Sequence, residues 1–212
     1  MALYGGLATS AYPMNPTSLA TAQNIWRIRP KGGSWDNVRI HYVPVKSSET
    51  IKKYDLLKIT QGSNSDQVER ALDPAGTAAT VTLAGDSGGI PHYLALHDKT
   101  SGSSQTEQDK IAVYSLYDLE MLVRVYSTTA GDAEIQDMRI ALRPEVPLGA
   151  TALATDFYGW GIYEYSTTEY YPILDATNQD GTNGSLAIVE AATEFDVADD
   201  FGGVWVAFTG LA

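Results

Sequence analysis

VRIHYVPV (residues 38–45), YDLLKIT (54–60), DQVERAL (66–72), ATVTL (79–83) and HYLALHD (92–98) are five short segments rich in β-branched and aromatic residues. Gly, Ser, Asn, Asp or Pro separates each segment from the next. In the first segment, apolar and polar residues alternate from Val38 to Tyr42, which is the period-2 pattern of a half-buried strand. Similar segments continue to residue 208 without a helical period. The sequence therefore predicts an all-β fold, either a barrel or a jelly-roll-like β-sandwich.

Two regions are predicted: an extended N-terminal arm at residues 1–35, and a β-barrel or sandwich body at residues 36–212. The segment MALYGGLATSAYPMNPTSLATAQ (1–23) has small residues, prolines and scattered large apolar side chains with no sustained period. Such a segment cannot bury a core of its own, so it is either disordered or lies along the surface of another molecule.

The composition excludes several classes of protein. The 212 residues include no cysteine, which rules out disulfides, zinc–thiolate sites and thiol chemistry. The start, MALYGGLATS, lacks the basic and apolar regions of a signal peptide. No apolar run approaches the roughly 18 residues of a membrane span. The 13 tyrosines and 19 glycines are typical of extracellular or particle-surface β-proteins.

The charge is divided unevenly along the chain. Residues 1–60 hold eight Lys/Arg and three Asp/Glu, a net of +5, whereas residues 61–212 hold six and 23, a net of −17. An acidic body repels nucleic acid, so DNA or RNA is not an expected partner. The basic start could face an acidic partner, or it could serve solubility alone.

The sequence GDSGG (85–89) matches the nucleophile motif of chymotrypsin-like serine proteases. That chemistry also needs a histidine base and a buried aspartate. Upstream of Ser87 the only histidine is His41, which lies in an alternating strand and lacks the family's context. A sharp turn is the better interpretation. We expect no catalytic residues and no enzyme activity.

No metal or cofactor site is predicted. His92 and His97 are five residues apart, which places them on opposite faces of a strand. The acidic segments DVADD (196–200) and NQDGTNG (178–184) do not match calcium-loop spacing and are interpreted as solvated turns.

An aromatic cluster lies between residues 157 and 171. It can be a carbohydrate-binding platform, or it can be core together with an oligomer interface, where Tyr and Trp are enriched. The second interpretation is favoured. The candidate residues are Tyr158, Trp160, Tyr163, Tyr165, Tyr170 and Tyr171.

Seven motifs follow one another along the chain: Arg29–Pro30, Tyr42–Pro44, Lys52–Ile59, Gln67–Ala71, His92–His97, Asp118–Val125 and Leu186–Phe208. Taken in this order, they resemble the capsid decoration (cement) proteins of tailed bacteriophages. One departure is Tyr54, which stands where glycine is usual, so the turn there can differ.

The resemblance implies a structural virion protein without catalytic residues. Its partners would be the major capsid protein and further copies of itself, often as a homotrimer, on the outer surface of the head. The arm would then supply the capsid contact, through apolar anchors and charge partners. The candidate residues are Tyr4, Leu7, Tyr12, Pro13, Trp26, Arg27 and Arg29.

Three alternatives stay open at this point. The aromatic cluster allows a carbohydrate-binding β-domain of a head or tail appendage. A tail-tube or connector protein would also be an all-β virion component. A serine hydrolase would rest on Ser87 alone.

Overall fold

The computed structural model describes residues 27–60, 66–78, 80–84, 90–104, 109–126, 158–167, 169–175, 186–191 and 203–208. Fourteen strands lie in these ranges, and the two short 3-10 turns are Trp35–Asn37 and Leu116–Asp118. The strands are β1 Arg27–Pro30, β2 Ile40–Pro44, β3 Thr50–Ile51, β4 Leu56–Ile59, β5 Val68–Arg70, β6 Thr80–Leu83, β7 Tyr93–Ala95, β8 Lys99–Thr100, β9 Lys110–Ser115, β10 Leu119–Tyr126, β11 Gly159–Ser166, β12 Glu169–Asp175, β13 Leu186–Ala191 and β14 Gly203–Phe208.

The strands form three sheets. A seven-stranded sheet has the order β13-β14-β10-β12-β11-β6, and β1 also pairs with β10. A five-stranded sheet has the order β2-β9-β7-β4-β5, and β3 pairs with β8. The pairs are antiparallel except β10 with β12, which is parallel. The predicted all-β sandwich is confirmed.

Alternation along β10 and β14 builds the main core. Leu119, Met121, Val123 and Val125 of β10 all face this core, and so do Val204, Val206 and Phe208 of β14. Both of these faces follow the period-2 pattern of the sequence.

The five-stranded sheet is buried on both faces in its centre. In β4, Leu56 belongs to the main core that the seven-stranded sheet shares, whereas its neighbour Leu57 belongs to a second cluster. The same division separates Leu94 from Ala95 in β7. Continuous apolar pairs such as Leu56–Leu57 therefore mark strands that are covered on both sides.

The predicted boundary at residue 35 does not coincide with the start of the body sheet. Arg27–Pro30 pair antiparallel with Leu119–Leu122 of β10, so these four residues are part of the seven-stranded sheet. Pro172 lies in β12, which is placed between β10 and β11. Pairing of β12 with β10 begins only at Ile173, one residue beyond the proline, so the missing N–H interrupts no hydrogen bond to β10.

Candidate interaction surface

Three of the six large apolar side chains that are exposed among the described residues lie at one edge of the five-stranded sheet. The connection from Lys31 through β2 carries these three: Trp35, 47% exposed, Ile40, 52% exposed, and Tyr42, 70% exposed. We call Trp35, Ile40 and Tyr42 the β2 surface. Single exposed apolar residues are ordinary, whereas a group of large ones on one element indicates an interaction site.

Local sequence builds the turn that presents Trp35. Gly32 and Gly33 have φ of 85° and 84°, a left-handed conformation that favours glycine. The Ser34 side chain then caps the 3-10 turn by accepting a hydrogen bond from the Asp36 N–H. The Lys31 N–H donates to the Asp118 carbonyl at 2.8 Å, which fixes this turn against the second 3-10 turn.

Aromatic contacts hold the β2 surface in place. The rings of Trp35 and Tyr114 lie 5.7 Å apart between centroids. Tyr114 is the register partner of Ile40, so Trp35, Tyr114 and Ile40 share one face of the sheet. On the opposite face, His41 lies 6.4 Å from the ring of Tyr93.

The half-burial predicted for β2 is wrong. Its alternation of apolar and polar residues is real, but Ile40, His41 and Tyr42 are all exposed. The reason is its place in the sheet: β2 is the edge strand, and among the described residues only β9 pairs with it.

Two of the predicted capsid-binding residues, Arg27 and Arg29, lie in β1. Arg27 is exposed at the start of this strand. Arg29 contacts its own body: Nε lies 2.6 Å from a Glu120 oxygen, and Nη2 lies 2.8 Å from a Glu190 oxygen. The guanidinium carbon is 4.1 Å from the Trp205 ring centroid. Burial lowers the pKa of Arg29, but the hydrogen bonds to Glu190 and Glu120 raise it overall. The other predicted arm residues, Tyr4, Leu7, Tyr12, Pro13 and Trp26, lie outside the described residues.

Most of the predicted aromatic cluster is core. Tyr158, Trp160 and Tyr163 are buried in the main core, and Trp160 packs edge-to-face on Phe208 with centroids 6.2 Å apart. These three side chains are therefore not available to a sugar or to a second molecule. Tyr170 and Tyr171 are half-buried, and the side chain of Tyr165 lies outside the described residues.

A buried carboxylate links the two larger sheets. Asp55, before β4, accepts a 2.7 Å hydrogen bond from the Lys52 N–H and lies 3.3 Å from Nε of Arg70. Tyr170 of β12 approaches it from the other sheet, although neither Asp55 Oδ1 nor Tyr170 Oη makes a hydrogen bond of regular geometry among the described residues. Burial raises the pKa of Asp55 to about 6. Burial and the Asp55 charge also raise the pKa of Tyr170.

The cleft beside this pair is small. Its lining includes Tyr54, Asp55, Leu56 and Tyr170, and the cavity measures about 10 Å³. That is roughly the space of one water molecule, which excludes a sugar ring or any comparable substrate.

A second buried carboxylate, Glu164 of β11, was not predicted from sequence. It is fully buried and accepts hydrogen bonds from the N–H groups of Ala75, Gly76 and Thr77, the last two at 2.7 and 3.1 Å. This set of donors anchors the loop between β5 and β6. The sequence offered no signal, because the loop lies almost ninety positions away along the chain.

Two further predictions from the sequence concern the GDSGG motif and metal binding. The GDSGG segment lies outside the described residues. Among the residues that the structure does describe, no three His, Asp or Glu side chains come together as a metal site. The helical segments within the same ranges are not long and apolar enough to cross a membrane.

Comparison with known proteins gave no relative. No protein-family model matches the chain, and searches of curated proteins and of solved structures also return no match.

Proposed function

We propose that this chain is a structural virion protein that binds the outside of an icosahedral phage head and clamps neighbouring copies of the major capsid protein. Its predicted partners are that capsid protein and further copies of itself, including the homotrimer that the resemblance implies. The observation that carries the proposal is the grouping of three exposed apolar side chains, Trp35, Ile40 and Tyr42, on the edge strand β2 and the turn before it.

Three features support this function. A cement protein needs a stiff body, and the two larger sheets share one extensive core. It needs contact area beyond that body, which the apolar and unperiodic segment 1–26 can supply. The exposed side chains of Arg27 and Lys31 flank the junction and can attract an acidic capsid surface. Each contact can be weak, because many copies bind at once on one head.

The carbohydrate-binding alternative has less support. It rested on the aromatic cluster, whose members Tyr158, Trp160 and Tyr163 are buried. Carbohydrate binding is therefore not the function that we propose.

Co-sedimentation with heads of the encoding phage, before and after expansion, tests the proposal. We expect saturable binding to expanded heads at a fixed ratio to the major capsid protein. Deletion of residues 1–24 should abolish this binding and leave the body folded, because the deletion ends before β1. The full-length protein is the control. Failure of the full-length protein to bind either kind of head would overturn the proposed function. Undiminished binding after deletion would overturn the role of the arm.

A further inference from the structure

Among the described residues no strand pairs with the outer edge of β2, and this edge has a defined set of backbone groups. The Val45 N–H donates to the Asp109 carbonyl at 2.7 Å, so the backbone groups of Val45 point toward β9. The direction of the backbone N–H and C=O groups alternates from residue to residue along an antiparallel strand. The backbone groups of His41 and Val43 therefore also point toward β9. The N–H and C=O groups of Ile40 and Tyr42 therefore point away from the sheet.

Pro44 limits this edge. By the same alternation its nitrogen faces outward, and proline has no N–H to offer. At the other end, the Val38 N–H is already used, because it donates to the Trp35 carbonyl at 3.1 Å. The donors of the edge are thus those of Ile40 and Tyr42, and a partner strand must match a short segment centred on His41.

We infer that β2 pairs antiparallel with β2 of a second copy of this chain, across a two-fold axis at His41. In this register Ile40 lies opposite Tyr42 of the partner copy, and Tyr42 lies opposite its Ile40. Each outward N–H then meets an outward C=O, so both donors and both acceptors of each copy are satisfied. The N–H and C=O groups of this edge therefore match the same edge of a second copy. A two-fold interface requires a surface that is complementary to itself in this way.

Side chains reinforce the same register. The pairing places Tyr42 of one copy beside Ile40 of the other, an aromatic and β-branched pair of the kind that stabilises sheets. Tyr114 and Trp35 extend this apolar row, because Tyr114 is the register partner of Ile40 and contacts Trp35. The β2 surfaces of the two copies thus join into one apolar strip across the paired strands.

A register centred on Tyr42 fits less well. It would place Pro44 opposite Ile40 of the second copy and leave the Ile40 carbonyl without a donor. The axis at His41 leaves Pro44 outside the paired segment, where its missing N–H costs nothing.

The contact is small, and this sets the expected strength. A standard protein interface buries roughly 1,600 Å². One short strand pair buries less, so we expect a weak dimer that forms at high protein concentration or when copies are held close together. The inference concerns the isolated chain and does not depend on the virion role.

Disulfide trapping tests the register directly, because the chain has no cysteine. His41 would lie opposite His41 of the second copy in a non-hydrogen-bonded pair, where Cα atoms are about 4.5 Å apart and a disulfide can form. Oxidation of the full-length His41→Cys variant should give a covalent dimer. Val43→Cys alone is the matched control and should stay monomeric, because Val43 faces Arg39 of the second copy.

A mixture of the Arg39→Cys and Val43→Cys proteins should cross-link, while neither does so alone. We expect about tenfold more dimer from the His41→Cys protein than from the Val43→Cys protein at equal concentration, given the distance limits of a disulfide. Equal yields from these two variants, or no dimer from His41→Cys, would overturn the proposed pairing.

Sedimentation equilibrium provides an independent test. Concentration-dependent dimers should form in the unmodified protein and be lost in Tyr42→Lys, which changes an exposed side chain. Tyr117→Lys, at an exposed aromatic residue outside the strand, should leave them unchanged. Dimers that tolerate Tyr42→Lys would place the contact elsewhere. Slow amide exchange of Ile40 and Tyr42 in a monomeric sample would show that another segment occupies the edge, which would also overturn the inference.

Discussion

The Gly76 N–H donates a 2.7 Å hydrogen bond to the carboxylate of Glu164, a residue that is fully buried in β11. The neighbouring N–H groups of Ala75 and Thr77 donate to the same carboxylate. A strand of the seven-stranded sheet thus holds a loop that follows β5 of the five-stranded sheet. Backbone N–H groups aimed at one anion form a concave donor site, here filled by the protein's own side chain.

Replacing Glu164 with alanine should destabilise the fold. The change removes the acceptor that three backbone N–H groups share, and a hydrogen bond to a charged group contributes about 1.5–3 kcal/mol. Urea unfolding followed by circular dichroism measures the free energy of unfolding. Asp73→Asn, at an exposed carboxylate of the same loop, is the control and should change this free energy little. Equal effects of the two changes would contradict the anchoring role.

Replacing Gly161 with alanine should separate β11 from β6. A Cβ atom at this position would lie 2.7 Å from the backbone oxygen of Thr82, which is closer than real Cβ contacts allow. Overpacking of this kind typically costs about 1–3 kcal/mol. Gly102→Ala is the matched control, because its Cβ would meet nothing closer than 3.5 Å. Thermal melts of both variants check the expectation, and equal melting temperatures would contradict it.

Asp55 should make stability depend on pH in the direction opposite to most carboxylates. Its pKa is raised from 3.8 to about 6 in the folded protein, so the folded state holds this proton more tightly than the unfolded chain does. The resulting stabilisation is present in acid and is lost as the pH rises through about 6.

The Asp55→Asn variant lacks this titration. Relative to wild type, its free energy of unfolding should therefore improve between about pH 4 and pH 7, by up to about 3 kcal/mol. Urea unfolding of both proteins across this range measures the difference. Asp98→Asn is an informative control, because the Lys53 N–H lowers the pKa of Asp98 and the expected trend is the reverse. A difference that stays constant with pH would contradict the shift at Asp55.

Arg29→Lys should loosen the attachment of β1. Lysine keeps the positive charge, but it lacks the planar guanidinium group. It therefore cannot bind Glu120 and Glu190 at the same time and also stack on the Trp205 ring. We expect a loss of about 1 kcal/mol in stability. Arg39→Lys, at an exposed position just before β2, is the control. Denaturant unfolding compares the two, and equal stabilities would show that the contacts of Arg29 contribute little.

Strand positions and faces were largely predictable. In β10, Leu119, Met121, Val123 and Val125 alternate with other residues in the sequence, and this apolar face is the one that packs in the core. The same holds for the apolar face of β14. Alternation depends only on neighbouring residues, so the apolar face of a strand can be recognised from the sequence. That face becomes part of the core where another sheet covers it.

The turn at Tyr54 shows where local pattern was insufficient. This residue occupies the place where the resembled family has glycine, and its φ is 72°, the left-handed conformation that favours glycine. Its ring packs against the main core and receives the Lys53 ammonium 4.8 Å from its centroid. The sequence indicated only that this turn can differ; it predicted neither the glycine-like backbone of Tyr54 nor the contacts that hold a tyrosine there.

The sequence by itself determined the all-β class, the main strands and the absence of thiol chemistry, because composition and period-2 alternation depend only on neighbouring residues. Only the tertiary structure decided which apolar faces are covered. Trp160 and Tyr42 lie in similar aromatic strands, yet one is buried and the other is 70% exposed. The difference comes from what packs on each face: Trp160 packs on Phe208 in the main core, whereas nothing in the described part of the chain covers Tyr42, and no local pattern encodes which face another sheet will cover.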